Sequence, residues 1–257
     1  MDLIKLEKKG SVAVLTISNP PANTWTQQSL NLLKEMVLAL NADKENFSLV
    51  ITGEGEKFFS AGADLKLFAK GETEVASKMT RAFGGAFETL AAYRGVSIAA
   101  INGYAMGGGL ECALACDLRI AETQAVMALP EAKVGLLPCG GGTQTLPWVV
   151  GESWAKRMIL CGEQVNAETA LKIGLVEEVV ETGTVLEHAL KMAEQVARQS
   201  PTSVSACKKL IMASRNGPMV QTLVAEREAF VDLFDSQDQA EGVNAFLEKR
   251  KPDWKNC

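Results

Sequence analysis

Histidine is almost absent from this sequence of 257 residues, in which His188 is the only one. Leu186, Leu190 and Lys191 flank His188 in a helical pattern, so we interpret it as a solvated residue on a helix surface. Ser-His-Asp and Cys-His mechanisms need a working histidine, as do histidine-rich metal sites. The sequence therefore excludes these mechanisms and predicts neither a bound metal nor a separate cofactor.

Paired cysteines, phosphate-binding motifs and a basic charge balance are also missing. Six cysteines occur without a CxxC pair, and neither GxGxxG nor GxxxxGK(S/T) is present. These absences exclude a disulfide framework and the corresponding nucleotide-phosphate loops. The net charge of −5 argues against nucleic acid as a partner, because phosphate binding needs a basic surface.

A long uninterrupted hydrophobic run is likewise missing. The most apolar stretch, residues 96–116, contains Asn102, Glu111 and several glycines, which favours a buried strand-turn-helix over a bilayer span. The N-terminal sequence MDLIKLEKKG alternates charged and apolar residues and has no signal-peptide core. We therefore expect a soluble, cytoplasmic protein that does not contact a membrane.

Short apolar runs and helical patterns alternate along most of the chain. The pattern predicts strands at 3–8, 12–18, 49–52, 97–101, 118–121 and 176–180, and helices at 26–40, 74–93 and 110–115. Beyond Trp148 the pattern is mainly helical. We predict the α/β fold class, with a mixed α/β core over residues 1–190 and a helical region over residues 191–257.

Two glutamates in apolar settings are the candidates for proton chemistry. Glu111 follows Gly107-Gly108-Gly109 in the most apolar part of the chain, and Glu131 follows Pro130. Burial would raise the pKa of either carboxyl, as a general acid or base near neutral pH requires. Taken singly, Glu111 also fits a structural cap of the glycine turn, and Glu131 an exposed first-turn residue. The catalytic hypothesis depends on the two converging on one pocket.

Glycine-rich turns provide a second element of the chemistry. The run Gly107–Gly109 leads into a helix N-terminus, which exposes backbone N–H groups and the positive end of a dipole. The segment Ser60-Ala61-Gly62-Ala63-Asp64 offers a further donor in the same way. Two such donors form an oxyanion hole, suited to proton transfer or water addition beside a thioester carbonyl. Close backbone packing is the other interpretation of the glycines, and both can hold together.

Five ordered segments resemble the crotonase (enoyl-CoA hydratase/isomerase) superfamily. They are Phe59-Ser60-Ala61-Gly62-Ala63-Asp64-Leu65, the segment 100–111 (AINGYAMGGGLE), Leu129-Pro130-Glu131, Gly141-Gly142-Thr143-Gln144 and the closing segment 241–250. The resemblance extends over nearly the whole chain. It implies a spiral of ββα repeats with a C-terminal helical trimerisation region, assembled as a homotrimer or a dimer of trimers.

The resemblance also implies roles for individual residues. The N–H groups of Ala63 and Gly108 would form the oxyanion hole, and Glu111 and Glu131 would hydrate the double bond of an acyl-CoA. The remaining residues would bind the substrate, of which coenzyme A is a part. These substrate-binding residues are Ala61, Asp64, Leu65, Lys66, Cys139, Phe246 and Lys249, the last two reaching the CoA of a neighbouring subunit.

Cys139 departs from the family pattern, because many hydratases have glycine there, with an N–H that helps hold the catalytic water. The side chain of Cys139 enters that corner, which bears on water placement or acyl specificity. Two alternatives to a hydratase stay open. A Δ3,Δ2-enoyl-CoA isomerase would need Glu131 alone, and a catalytically silent CoA-binding protein would need neither glutamate.

Overall fold

The computed structural model describes residues 2–215 and 217–257. The strands are β1 (Ile4–Lys9), β2 (Val12–Ile17), β3 (Ser48–Gly53), β4 (Phe58–Ser60), β5 (Val96–Ile101), β6 (Tyr104–Met106), β7 (Leu118–Glu122), β8 (Val126–Ala128), β9 (Val165–Asn166) and β10 (Glu178–Val180). The helices are α1 (Gln27–Ala42), α2 (Thr73–Ala91), α3 (Gly108–Ala115), α4 (Gly142–Leu160), α5 (Ala167–Lys172), α6 (Val185–Val196), α7 (Pro201–Ala213), α8 (Met219–Asp232) and α9 (Gln237–Leu247).

The strands form two sheets that follow one spiral course. The larger sheet has the order β1-β2-β3-β5-β7-β10, and the smaller sheet has the order β4-β6-β8-β9. Each of three successive turns places its first strand in the larger sheet and its second in the smaller one, as β3/β4, β5/β6 and β7/β8. Equivalent strands of successive turns pair in parallel. The predicted spiral of repeated ββα units is confirmed.

Helix α1 illustrates how the sequence specifies an element. The side chain of Thr26 accepts a hydrogen bond from the backbone N–H of Ser29, which satisfies one of the free N–H groups at the helix start. Leu30, Leu33 and Val37 recur at helical spacing and are buried. The helix begins where the sequence predicted and extends two residues beyond the predicted Leu40.

The larger sheet is covered on both faces, which explains its continuous apolar strands. All six residues of β3 are buried. Leu49 and Ile51 contribute to the main core, whereas Val50 packs in a second cluster on the other face. Helix α6 packs in this second cluster through Ala189 and Ala193. Residues on both sides of the predicted division at residue 190 therefore contribute to the same cluster. That division stays a prediction.

The C-terminal region consists of helices, of which α7 is tied to the core. The Nζ atom of Lys208 donates to the carbonyl oxygens of Tyr93 (2.6 Å) and Gly95 (3.1 Å) and to Oδ2 of Asp117 (2.7 Å). None of the helices in the described part of the chain is long and apolar enough to cross a membrane.

Candidate active site

The glycine turn before α3 is packed too tightly for any side chain. Gly107 has φ 51°, in the region that favours glycine. A Cβ atom on Gly108 would lie 2.7 Å from Cε1 of Phe83, and one on Gly109 would lie 2.2 Å from the carbonyl oxygen of Ser60. These contacts establish the packing interpretation of the glycines. They also bring the start of α3 against β4.

The segment after β4 lies beside this turn. A Cβ atom on Gly62 would lie 3.1 Å from the backbone nitrogen of Gly108. The neighbouring N–H groups have structural partners, since Ala61 donates to Ala22 at 2.9 Å and Asp64 donates to Trp25 at 3.3 Å. Within the described residues the N–H groups of Ala63 and Gly108 donate to no other backbone group. Unlike the N–H groups of Ala61 and Asp64, these two are thus not used to hold the segment in place.

Glu111 lies in the first turn of α3 and is 3% exposed. Its Oε1 atom accepts hydrogen bonds from the backbone N–H groups of Gly140 (2.7 Å) and Gly142 (2.9 Å). Burial raises the pKa of Glu111, and the N–H groups of Gly142, Gly140 and Cys139 oppose that rise. The buried carboxylate thus keeps specific support for its ionised form.

These donors were not predicted from the sequence, in which Gly141-Gly142-Thr143-Gln144 served only as part of the resemblance to the family. The sequence nevertheless contains a signal for these donors, because Gly140, Gly141 and Gly142 are consecutive. Gly142 is the first residue of α4, and Gly141 before it has φ 106°. A helix N-terminus preceded by glycine commonly binds an anionic group. Here that anion is a side chain of the protein itself.

Glu131 begins a short 3₁₀ segment, Glu131–Val134, after β8. Its carboxyl packs against the glycine turn, since a Cβ atom on Gly107 would lie 3.1 Å from Oε1. Oε2 is buried and has no hydrogen-bond partner among the described residues. Burial, with a smaller contribution from the charge of Glu111, raises the pKa of Glu131 to about 7. The charge of Glu111 acts on Glu131, so the two glutamates lie near each other, and they differ in their hydrogen-bond partners.

Cys139 lies next to both glutamates. Burial of its thiol, followed by the charges of Glu111 and Glu131, raises the pKa of Cys139 to about 11. Part of the residue is nevertheless exposed. The thiol thus lies near the two carboxyl groups as a neutral group.

An aromatic wall that the sequence did not single out supports the glycine turn. Phe83 and Phe87 on α2 meet edge to face with their ring centroids 5.6 Å apart, and Trp25 meets Phe87 at 5.9 Å. All three residues are buried. Phe83 and Phe87 lie one helical turn apart on α2, and nothing in the sequence indicated that Phe83 contacts Gly108.

The remaining predicted residues lie in the segment after β4 or near the C-terminus. Asp64 caps the 3₁₀ segment Leu65–Phe68 by accepting from the N–H of Lys66 at 3.1 Å. Leu65 and Lys66 are exposed. Phe246, at the end of α9, is 83% exposed, and Lys249 follows it. The proposed contacts of these residues with CoA stay predictions.

A cavity of about 1120 Å³ extends from Glu111 and Gly140 to α7 and the helices that follow it. It is large enough for a small-molecule group to reach Glu111. Across residues 2–215 and 217–257, no group of three or more His, Cys, Asp and Glu side chains is arranged to hold a metal ion.

Comparisons with known proteins agree with this geometry. A family model described as enoyl-CoA hydratase/isomerase matches residues 7–257. The chain is 36% identical to the short-chain-enoyl-CoA hydratase of Clostridium acetobutylicum, over 96% of this chain and 95% of that protein. It is 37% identical to the 2,3-dehydroadipyl-CoA hydratase of Escherichia coli, over 99% of both.

A solved structure, Pseudomonas aeruginosa DspI, superimposes with a TM-score of 0.97 at 61% identity. The match covers 99% of this chain and 97% of that one. Full-length similarity in sequence and in fold is what members of one family share. The chain belongs to the enoyl-CoA hydratase/isomerase family.

Proposed function

We propose that the protein is an enoyl-CoA hydratase, a hydro-lyase that adds water to a trans-2-enoyl-CoA and yields a 3-hydroxyacyl-CoA. The observation that carries this proposal is the pair formed by Glu111 and Glu131. Burial raises the pKa of both carboxyls, the charge of Glu111 acts on Glu131, and the N–H groups of Gly140 and Gly142 hold the carboxylate of Glu111. Two carboxyl groups with divided acid and base roles match the chemistry of hydration. The relatives named as hydratases support the same reaction.

The environments assign a role to each glutamate. Glu111 accepts hydrogen bonds from two backbone N–H groups, which stabilise its ionised form. It therefore acts as the base that takes a proton from water. Glu131, with a pKa of about 7, retains a proton in much of the population at neutral pH and donates it to C2. The water oxygen forms the bond to C3. Exchange with solvent then restores both starting protonation states.

The N–H groups of Ala63 and Gly108 bind the thioester oxygen while negative charge develops on it. Gly108 begins α3, and Gly62, the residue before Ala63, packs against the nitrogen of Gly108; both features support this role. An oxyanion donor of this kind typically contributes about 3 kcal/mol to transition-state stabilisation. The enolate formed at C2 is then protonated by Glu131.

The CoA moiety lies along Ala61, Asp64, Leu65 and Lys66, with the Lys66 ammonium near its phosphates.

A homotrimer or a dimer of trimers is the assembly we propose, with Phe246 and Lys249 contributing to a neighbouring subunit. Exposed apolar side chains in the C-terminal helices support such an assembly, because large exposed apolar patches mark interfaces. These side chains are Met219, Val220, Val224, Phe230, Val231 and Phe246. The protein acts in the cytoplasm, on fatty acyl-CoA.

Glu111 separates this proposal from an isomerase that needs Glu131 alone. Purified protein is incubated with crotonyl-CoA and with a 3-enoyl-CoA, beside a Glu111→Gln variant and a surface control, Glu152→Gln. We expect wild type and the control to hydrate crotonyl-CoA, and Glu111→Gln to lose at least about a thousandfold in kcat. Isomerisation without hydration in wild type would support the isomerase. Binding without either reaction would support a silent CoA-binding protein.

A further inference from the structure

Trp25 is hydrogen-bonded to the peptide groups on both sides of Ala63. The backbone N–H of Trp25 donates to the carbonyl oxygen of Gly62 at 2.8 Å, and its carbonyl oxygen accepts from the N–H of Asp64 at 3.3 Å. The two bonds form an isolated parallel bridge between Trp25 and Ala63. One residue therefore holds the segment that carries the first proposed oxyanion donor.

This bridge sets the direction of the Ala63 N–H. That N–H belongs to the same peptide unit as the carbonyl of Gly62, and in a planar trans peptide the two bonds point in opposite directions. Because the Gly62 carbonyl points to the backbone of Trp25, the Ala63 N–H points away from it. The φ angle of Gly62 is 86°, which favours glycine, so the turn before Ala63 has a defined shape as well.

The indole ring of Trp25 packs against the second proposed donor. A Cβ atom on Gly108 would lie 3.5 Å from Cδ1 of Trp25 and 2.7 Å from Cε1 of Phe83, so both rings lie against the first residue of α3. Trp25 also meets Phe87 edge to face, with ring centroids 5.9 Å apart. A single residue thus contacts both segments of the oxyanion hole, one through its backbone and the other through its side chain.

Neighbouring residues hold Trp25 itself in place. Asn23 is buried, and its Nδ2 atom donates to the carbonyl oxygens of Glu54 (3.0 Å) and Phe58 (2.9 Å). On the other side, the side chain of Thr26 caps α1. Trp25 therefore lies between a loop that is bonded to β4 and the start of a helix.

Packing alone holds the indole ring. Trp25 is fully buried, and its Nε1 atom has no hydrogen-bond partner among the described residues. Phenylalanine at this position would lose no hydrogen bond and would keep an aromatic face against Gly108. Alanine would leave that face empty. The two substitutions therefore separate the packing of the ring from its polar group.

We propose that Trp25 is a positioning residue, which sets the separation and the direction of the Ala63 and Gly108 N–H groups. The backbone bridge orients the first group, and the ring keeps the glycine turn of the second at a fixed distance from it. Displacing such donors slows a reaction strongly, because they stabilise charge only in the correct geometry. The proposal rests on the proposed hydratase function and adds a residue to its machinery.

Hydration of crotonyl-CoA by a series of variants tests the role of the ring. We expect Trp25→Ala to lose at least about a hundredfold in kcat, with KM within about threefold of wild type, because the donors act mainly in the transition state. Trp25→Leu is the smaller truncation, with an expected loss of at least about tenfold, and it decides the test where Trp25→Ala does not fold. Trp25→Phe should stay within about fivefold of wild type.

Trp154→Ala is the matched control. Trp154 is a half-buried tryptophan on α4 and lies outside the cavity lining. Its removal should leave kcat within about twofold of wild type, because it contacts neither donor segment. Equal kcat values in wild type, Trp25→Leu and Trp25→Phe would overturn the proposal and leave the hydratase function intact. Equal losses in Trp25→Phe and Trp25→Ala would also overturn it, since the ring packing would then not matter.

A spectroscopic measurement tests the geometry without turnover. The stretching frequency of a carbonyl falls as hydrogen bonds to its oxygen become stronger, so it reports on the two donors. Butyryl-CoA with an isotope-labelled thioester carbonyl cannot be hydrated and is the probe. We expect wild type, Trp25→Phe and Trp154→Ala to lower the frequency equally, and Trp25→Ala and Trp25→Leu to return it at least halfway to that of free butyryl-CoA.

The two measurements distinguish the two proposals. If wild type hydrates no trans-2-enoyl-CoA, the hydratase function fails, and the carbonyl frequency alone decides the role of Trp25. A frequency that wild type does not lower, or that Trp25→Ala and Trp25→Leu leave at the wild-type value, would overturn that role.

Discussion

The Oε1 atom of Glu111 accepts a hydrogen bond from the backbone N–H of Gly140 at 2.7 Å. The bond joins two glycine turns that are far apart in sequence, one before α3 and the other before α4. It holds the carboxylate in one orientation and favours its charged form, which a base that activates water requires.

Gly140→Ala is expected to break this arrangement. The new Cβ atom would lie 2.6 Å from Cδ2 of Phe87 and 3.1 Å from Oε2 of Glu111, so the turn must shift. We expect kcat to fall about a hundredfold, because small displacements of catalytic groups have effects of this size. Steady-state kinetics measures the change.

Gly85→Ala on α2 is the control for that substitution, since its Cβ would meet Lys34 Nζ at an ordinary 3.6 Å. It should leave kcat unchanged and add about 0.5–1 kcal/mol of stability, because alanine favours a helix. Equal kcat values in Gly140→Ala and Gly85→Ala would contradict the role of the Gly140 turn.

Glu131→Gln is expected to stabilise the protein in a pH-dependent manner. Burial raises the pKa of Glu131 from an ordinary value of 4.5 to about 7, so the folded state holds a proton that the unfolded state has lost. Wild type therefore loses stability as pH rises from 4.5 to 7, and glutamine removes this loss. We expect a gain of about 2 kcal/mol at pH 8, after discounting for partial exposure, and none at pH 4.

Urea unfolding at pH 4 and pH 8 measures this effect. Glu152→Gln, at an exposed position, should show no gain at pH 8. A Glu131→Gln variant that is equally stable relative to wild type at both pH values would show that Glu131 titrates normally.

Cys139 is expected to react slowly with alkylating agents although it is exposed. Its pKa of about 11 leaves little thiolate at pH 8, and the thiolate is the reactive form. Peptide mapping after timed iodoacetamide treatment should show Cys139 labelled at least about tenfold more slowly than the exposed Cys257. Labelling of Cys139 first would mean that the two glutamates do not surround it as described.

Lys208→Met is expected to loosen α7. Its ammonium satisfies Asp117 and two carbonyl oxygens and is 10% exposed, so its removal leaves buried acceptors without a donor. We expect a loss of about 3 kcal/mol in unfolding free energy, as for other broken buried ion pairs. Lys209→Met, on the exposed side of the same helix, should change stability by less than about 0.5 kcal/mol. A similar small change in both variants would contradict the stabilisation of α7 by the buried contacts of Lys208.

Much of the fold was predictable because local signals agreed with the tertiary structure. Thr26 and the apolar residues Leu30, Leu33 and Val37 placed α1, and the apolar run before Asn102 placed a buried strand. The resemblance to the family, carried by ordered segments rather than by any single motif, indicated the spiral. Periodicity alone does not indicate that successive turns alternate between two sheets.

The site was predictable in its residues but not in its contacts. Glu111 and Glu131 were candidates from their apolar surroundings, yet their different protonation depends on partners contributed by distant segments. Gly140 and Gly142 reach Glu111 across about thirty residues of sequence, and Phe83 meets Gly108 only in the folded chain. Such contacts are set by packing, which no local pattern encodes.

The measurement that tests the central claim most directly is hydration of crotonyl-CoA by wild type, Glu111→Gln and Glu131→Gln, followed through loss of the enoyl-thioester absorbance. The account predicts turnover by wild type and a loss of at least about a thousandfold in kcat for each variant, with the double variant no worse than either, because the two groups act as one unit. Either variant within about tenfold of wild type, or a wild type that hydrates no trans-2-enoyl-CoA, would contradict it.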